Sequence, residues 1–172
     1  MAALRTRLKV VAKLPLAAFG FRLVAVTGTA LVLQFFSEFY FLNEGPARNA
    51  ARGWVGFPDL MISVYVYGIF AYIFLIVIDR FDVRSLAGVL LAGSVFGWAT
   101  EALVVPVVYE APPVSFIWPS VSWHALIDVM VGWLFLRLAM RRLAWPWLAL
   151  LFTGLGMVWA FWATWTWGAT DG

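Results

Sequence analysis

Apolar residues fall into five long runs, 22–42, 58–78, 86–109, 119–138 and 145–167, and the connections between them are short. A helix rises about 1.5 Å per residue, so roughly 20 residues cross ~30 Å of hydrocarbon, and each run is long enough. A membrane-barrel strand would instead need about 10 residues of alternating polarity, and these runs do not alternate. The pattern predicts an all-α integral membrane protein, a five-transmembrane-helix bundle forming a single membrane domain over residues 1–172.

Residues 1–21 carry Arg5, Arg7, Lys9 and Lys13 among Leu, Val and Ala, which reads as a basic interfacial segment. A cleaved signal peptide is the competing reading, with Gly28 and Ala30 as small residues at the cleavage site. Arg22 would break its apolar region and the run continues to Leu42, so an uncleaved signal-anchor helix is expected. Pro58 and Pro119 suit first helical positions, where a missing N–H costs little. Trp145, Trp147, Trp165 and Trp167 bracket the last run like interfacial belts. Gly93 and Gly97 let another helix come close. Pro106 cannot donate to the carbonyl of Ala102 and should bend the third helix just above Glu101.

Basic residues give the orientation. Arg5, Arg7, Lys9, Lys13, Arg22, Arg80, Arg84, Arg137, Arg141 and Arg142 fall on one side of the layout, and Arg48 and Arg52 on the other. The positive-inside rule then puts the N-terminus in the cytoplasm and the C-terminus on the exoplasmic side. A bacterial cytoplasmic (inner) membrane is the expected location.

Composition agrees with this layout: the chain is 64% hydrophobic and 12% charged, with a mean hydropathy of +0.91. A water-soluble domain carries about 25% charged residues. The net charge of +3 is explained by topology, so no nucleic-acid partner is expected. Without cysteine there is no disulfide, thiolate nucleophile, iron–sulfur cluster or c-type haem attachment. One histidine excludes bis-histidine haem, and neither a HExxH zinc motif nor a nucleotide-binding glycine pattern occurs. Asp79 and Asp82 read as part of a charged cytoplasmic turn rather than a diphosphate site.

What the composition does not explain is the stretch 98–128, where Glu101, Glu110, His124 and Asp128 interrupt apolar sequence around a proline-rich turn. Ionisable groups within a span are costly, on the order of 2.5 to 3.5 kcal/mol even on gentle scales, and point to function. Counting about 1.5 Å per residue from the outer ends puts Glu101 about 12 Å and Asp128 about 13.5 Å deep, at one level. A short outer loop makes the two helices antiparallel neighbours. His124 and Asp128, four residues apart, share a helix face. Gln34 and Glu38 have the same spacing on the first run, and Asp59 and Ser63 open the second. We therefore expect a polar cavity on the exoplasmic side, built mainly by the first, third and fourth helices. Glu101, His124, Asp128 and Glu38 are the candidate catalytic groups. Gln34, Trp98, Trp123, Tyr109, Glu110, Arg48 and Arg52 are the candidate substrate contacts.

The chemistry this set fits best is acid–base catalysis on an apolar lipid or isoprenoid: isomerisation, cyclisation, hydration or acyl transfer, with Glu101 as proton donor and Asp128 with His124 as base. Aromatic walls would stabilise a carbocation. No cofactor is required, although a metal held by Glu101, His124 and Asp128 is chemically conceivable; one imidazole and no thiolate make a poor zinc set. The alternatives are a non-enzymatic carrier of a proton, cation or small molecule, and an accessory subunit of a larger membrane complex. Membrane lipid and an apolar substrate are the expected partners, with a homo-oligomer or larger complex left open.

Overall fold

The computed structural model of the chain describes residues 16–42 and 53–168. The basic segment before Leu16, and Arg48 and Arg52, lie outside the described residues. Among these residues every regular element is helical, and five helices are long and apolar enough to cross a membrane. Span one is an α-helix over Leu16–Gln34 that continues as a π-helix over Phe35–Leu42. Span two is Phe57–Arg80, with a proline in its first turn, and span three is Leu86–Leu103. Ser85 caps span three, its side chain accepting a hydrogen bond from the Gly88 N–H at 3.0 Å.

Span three is shorter than the apolar run that contains it. The expected helix over 86–109 stops at Leu103, and Pro106–Tyr109 form a 3₁₀ turn followed by a one-turn helix at Val114–Ile117. Pro106 does more than bend the chain. The residue before a proline is pushed out of the helical region, and Val105 is extended with φ −123° and ψ 95°. Glu101 therefore stands in the last turn of span three, not two turns below its end. The turns that replace the missing helix are held to one another and to span three. Ser115 Oγ donates to the Val108 carbonyl at 2.7 Å, and Trp98 Nε1 to the Phe116 carbonyl at 2.7 Å.

Span four also departs from the expected α-helix over 119–138. It is wound with i→i+5 hydrogen bonds over Ser120–Leu136 and becomes α-helical over Arg137–Arg142. Residues four apart overshoot one turn of an α-helix and fall short of one turn here, so they stay on one face in either case. That face holds Ser120, His124, Asp128 and Gly132, all buried. Span five, Trp145–Gly168, matches its apolar run closely.

Spans three and four make the most extensive contact in the fold. The close approach needs Gly93 and Gly97. A Cβ on Gly93 would lie 3.1 Å from the Ala125 Cα, and one on Gly97 would strike the Ser120 carbonyl and lie 2.9 Å from the His124 Cβ. Around this seam Leu33, Phe74 and Val129 are fully enclosed, and Phe74 meets the Trp133 ring edge-on at 5.0 Å. Trp133 Nε1 donates to Thr29 Oγ1 at 3.1 Å, tying span four to span one.

Span five stands apart from that core, with none of its apolar window buried by the rest of the chain. It is joined to span one by Tyr40 Oη donating to the Leu155 carbonyl at 3.2 Å and Trp159 Nε1 donating to the Phe39 carbonyl at 3.0 Å. Between the two spans runs an apolar groove of about 420 Å³, walled by Phe36, Phe39, Tyr40, Leu136, Phe152 and Trp159.

Candidate functional site

Three of the ionisable groups that stand out in the sequence meet at one imidazole. Span three delivers Glu101 and span four delivers His124 and Asp128. His124 Nδ1 lies 2.7 Å from Asp128 Oδ2, and His124 Nε2 lies 2.8 Å from Glu101 Oε1. The four-residue spacing that puts His124 and Asp128 on one face makes the first contact local. The second exists because Gly97 lets span four close on span three one turn before Glu101.

Burial grades along this chain of three. Glu101 keeps about a tenth of its side-chain surface, at 10%, His124 keeps 4%, and Asp128 keeps none. Two aromatic rings close the imidazole from its faces and edges: Trp123 is stacked at 6.3 Å, and Phe96 is edge-on at 5.5 Å. Trp118 lies against Trp123 at 5.9 Å and extends the wall outward. Among the described residues, ion pairs form between Arg84 and Asp82 and between His124 and its two carboxyls, and none brings Lys or Arg to this cluster.

Hydrogen-bond counting limits what the chain of three can hold. Each N···O contact needs one proton, on the nitrogen or on the oxygen. With one proton in each contact the net charge is −1 wherever the protons sit. Either both carboxylates flank an imidazolium, or one carboxylic acid and one carboxylate flank a neutral ring. Asp128 Oδ1 is buried and, among the described residues, has no hydrogen-bond partner.

A second polar pair lies beside the first. Tyr67 Oη, from span two, donates to Glu38 Oε1 at 2.8 Å and also shares a hydrogen bond with Ser37. Glu38 is near enough to interact electrostatically with His124, Glu101 and Asp128. Span two is thus a fourth contributor through Tyr67, which the sequence does not single out. Its signal is there: Tyr67 continues Asp59 and Ser63 at four-residue intervals on a single helix face. Tyr67→Phe is expected to cost about 1–3 kcal/mol, since it removes a donor from a largely buried carboxyl. Thermal unfolding in lipid nanodiscs measures this, and an unchanged midpoint would show that Glu38 finds its donor elsewhere.

Gln34 Nε2 donates to Ser63 Oγ at 2.9 Å, joining spans one and two. Trp98 is 37% exposed, and its indole holds the outer turn through Phe116. Tyr109 and Glu110 are exposed at the end of the Pro106–Tyr109 turn. Among the described residues no group of three His, Cys, Asp or Glu side chains is arranged to hold a metal ion. The geometry gives the reason at His124: both ring nitrogens face carboxyl oxygens, and neither lone pair is open to a cation.

Comparison with protein-family models, with curated proteins and with solved structures finds no match to this chain.

Proposed function

We propose that this protein is a small membrane enzyme that adds a proton to, or removes one from, an apolar lipid or isoprenoid substrate. The observation that carries the reading is the graded burial of Glu101, His124 and Asp128 on one hydrogen-bonded line. Glu101, the member with residual surface, would meet the substrate and act as the acid or base. His124 and Asp128 sit behind it and set its orientation and charge. This refines the role expected for Asp128: with no exposed surface, it works as a positioning residue through His124. The rings of Trp123 and Phe96 supply the low-dielectric, π-rich surroundings in which a hydrocarbon and a developing positive charge are both tolerated.

The orientation belongs to the same proposal. The turns after spans two and four, with Arg80, Arg84, Arg141 and Arg142, share one end of an alternating bundle, which would be the cytoplasmic end. The Glu101 end would then be exoplasmic, and lipid would be the neighbour along the exposed face of span five.

The test is mass spectrometry of lipids extracted with the protein from its native membrane, before and after incubation with those lipids. Glu101→Gln is expected to lower formation of the altered lipid by about 10²–10⁴-fold, the usual contribution of a positioned acid or base. An E101Q protein with wild-type turnover would end this assignment. A proton or cation carrier is the second reading, favoured by three ionisable groups on one hydrogen-bonded line. It predicts saturable, pH-dependent binding with no altered product.

A further inference from the structure

We propose that the resting line of Glu101, His124 and Asp128 is electrically neutral and holds three protons, with Asp128 in its acid form, which makes Asp128 the proton-storage site of the acid–base machinery proposed above. Two protons satisfy both contacts to the imidazole but always leave a net negative charge in a region without a paired Lys or Arg. An isolated charge in low dielectric costs several kcal/mol, and neutralisation is the usual outcome. A third proton permits an arrangement in which no member is charged. Asp128 donates from Oδ2 to Nδ1, the Nε2–H donates to Glu101 Oε1, and Glu101 carries its own proton on its other oxygen, Oε2.

Asp128 is singled out by its other oxygen. Among the described residues Oδ1 has no hydrogen-bond partner, and it is buried on a side chain with 0% exposure. A carboxylate would place part of its charge on that unpartnered atom, whereas in the acid form Oδ1 is an uncharged carbonyl oxygen. The titratable groups facing Asp128 are His124 on its own helix, Glu101 on span three, Glu38 on span one and Tyr67 on span two. None of the carboxyls among them lowers the cost of leaving Asp128 charged.

The third proton is also the one that can be given away. With two protons, both are committed to the imidazole contacts. With three, Glu101 gives up its Oε2 proton, and transfer of the Nε2 proton to Oε1 and of the Oδ2 proton to Nδ1 leaves an intact two-proton line. In balanced form, the neutral line and an alkene become the anionic line and a carbocation, the alkene π pair forming the new C–H bond. Return of a proton from an adjacent carbon to the line leaves that C–H pair as a relocated double bond and restores neutrality. The negative charge appears at the moment and place where positive charge develops on the substrate.

Infrared spectroscopy of the ligand-free wild-type protein in lipid nanodiscs at neutral pH tests the storage site without reference to turnover. Labelling the aspartate carboxyls with heavy carbon is expected to shift one protonated carboxylic C=O absorption. Asp128→Asn should abolish that absorption, while Glu38→Gln should leave it in place. Because Asn is an uncharged isostere of the protonated acid, D128N should also unfold at the wild-type temperature. A wild-type spectrum with no label-sensitive carboxylic absorption overturns the proposal, whatever D128N does. If the absorption is present but E101Q turns over normally, proton storage stands and the catalytic reading falls.

Discussion

Replacing His124 with alanine is expected to destabilise the bundle by about 3–5 kcal/mol, the largest effect of any single substitution in this fold. Removing one partner of a buried ionic cluster leaves the others unpaired, and that magnitude is typical of the loss. Here the imidazole is the partner of two groups at once, Asp128 at 2.7 Å and Glu101 at 2.8 Å. Asp128 is fully enclosed and Glu101 is only 7% exposed, so little solvent replaces the lost partner. The cost does not depend on whether the stranded carboxyls are ionised. A charged one loses its counter-ion, and a protonated one loses its hydrogen bond, at about 1–3 kcal/mol for each unsatisfied group. The void left between Phe96 and Trp123 adds to it. Denaturant unfolding in mixed micelles, compared with Glu101→Gln as a milder change at the same line, measures the difference. A stability within 1 kcal/mol of wild type, itself a small effect for a buried site, would mean that the two carboxyls pair with each other when the ring is removed.

The second large effect is expected at a residue with no side chain. Gly97→Ala should lower stability by about 1–3 kcal/mol, as overpacking does, and should impair the site more than the stability loss alone implies. Its methyl would meet the backbone carbonyl of Ser120, which cannot rotate out of the way, and the Cβ of His124 at 2.9 Å. Relief requires spans three and four to separate at the level of the imidazole, and that motion breaks the Glu101 contact directly. Gly93→Ala is the control. The nearest atoms there are at 3.1 Å, one of them the Val129 side chain, so a few tenths of an ångström of adjustment suffice. Unfolding midpoints for both variants and the lipid product assay for both provide the comparison. Equal effects of the two changes would contradict the claim that Gly97 sets the distance between Glu101 and His124.

Much of the architecture is legible in the chain because a bilayer imposes its length on any helix that crosses it. Spans two and five run close to the apolar stretches at 58–78 and 145–167, extended by one or two residues. Span three shows where that reading fails. Hydropathy continues to Tyr109, but the helix ends at Leu103 because Pro106 excludes helical geometry from Val105, and apolar composition carries no information about that local restriction. The π winding of span four is equally invisible, since its buried residues recur at an interval that suits either helix.

The candidate site divides along similar lines. The sequence by itself determined that this is a chain of five membrane-length apolar helices, that Glu101, His124 and Asp128 stand where hydrocarbon is expected, and that His124 and Asp128 share a face. Those are consequences of helical rise and periodicity, which depend on neighbours along the chain. Only the tertiary structure decided that Glu101 faces His124 Nε2, that Tyr67 of span two completes the polar cluster through Glu38, and that Asp128 Oδ1 has no partner among the described residues. Each of those facts depends on the distance and rotation between separate helices, which small residues such as Gly97 permit but no local periodicity encodes.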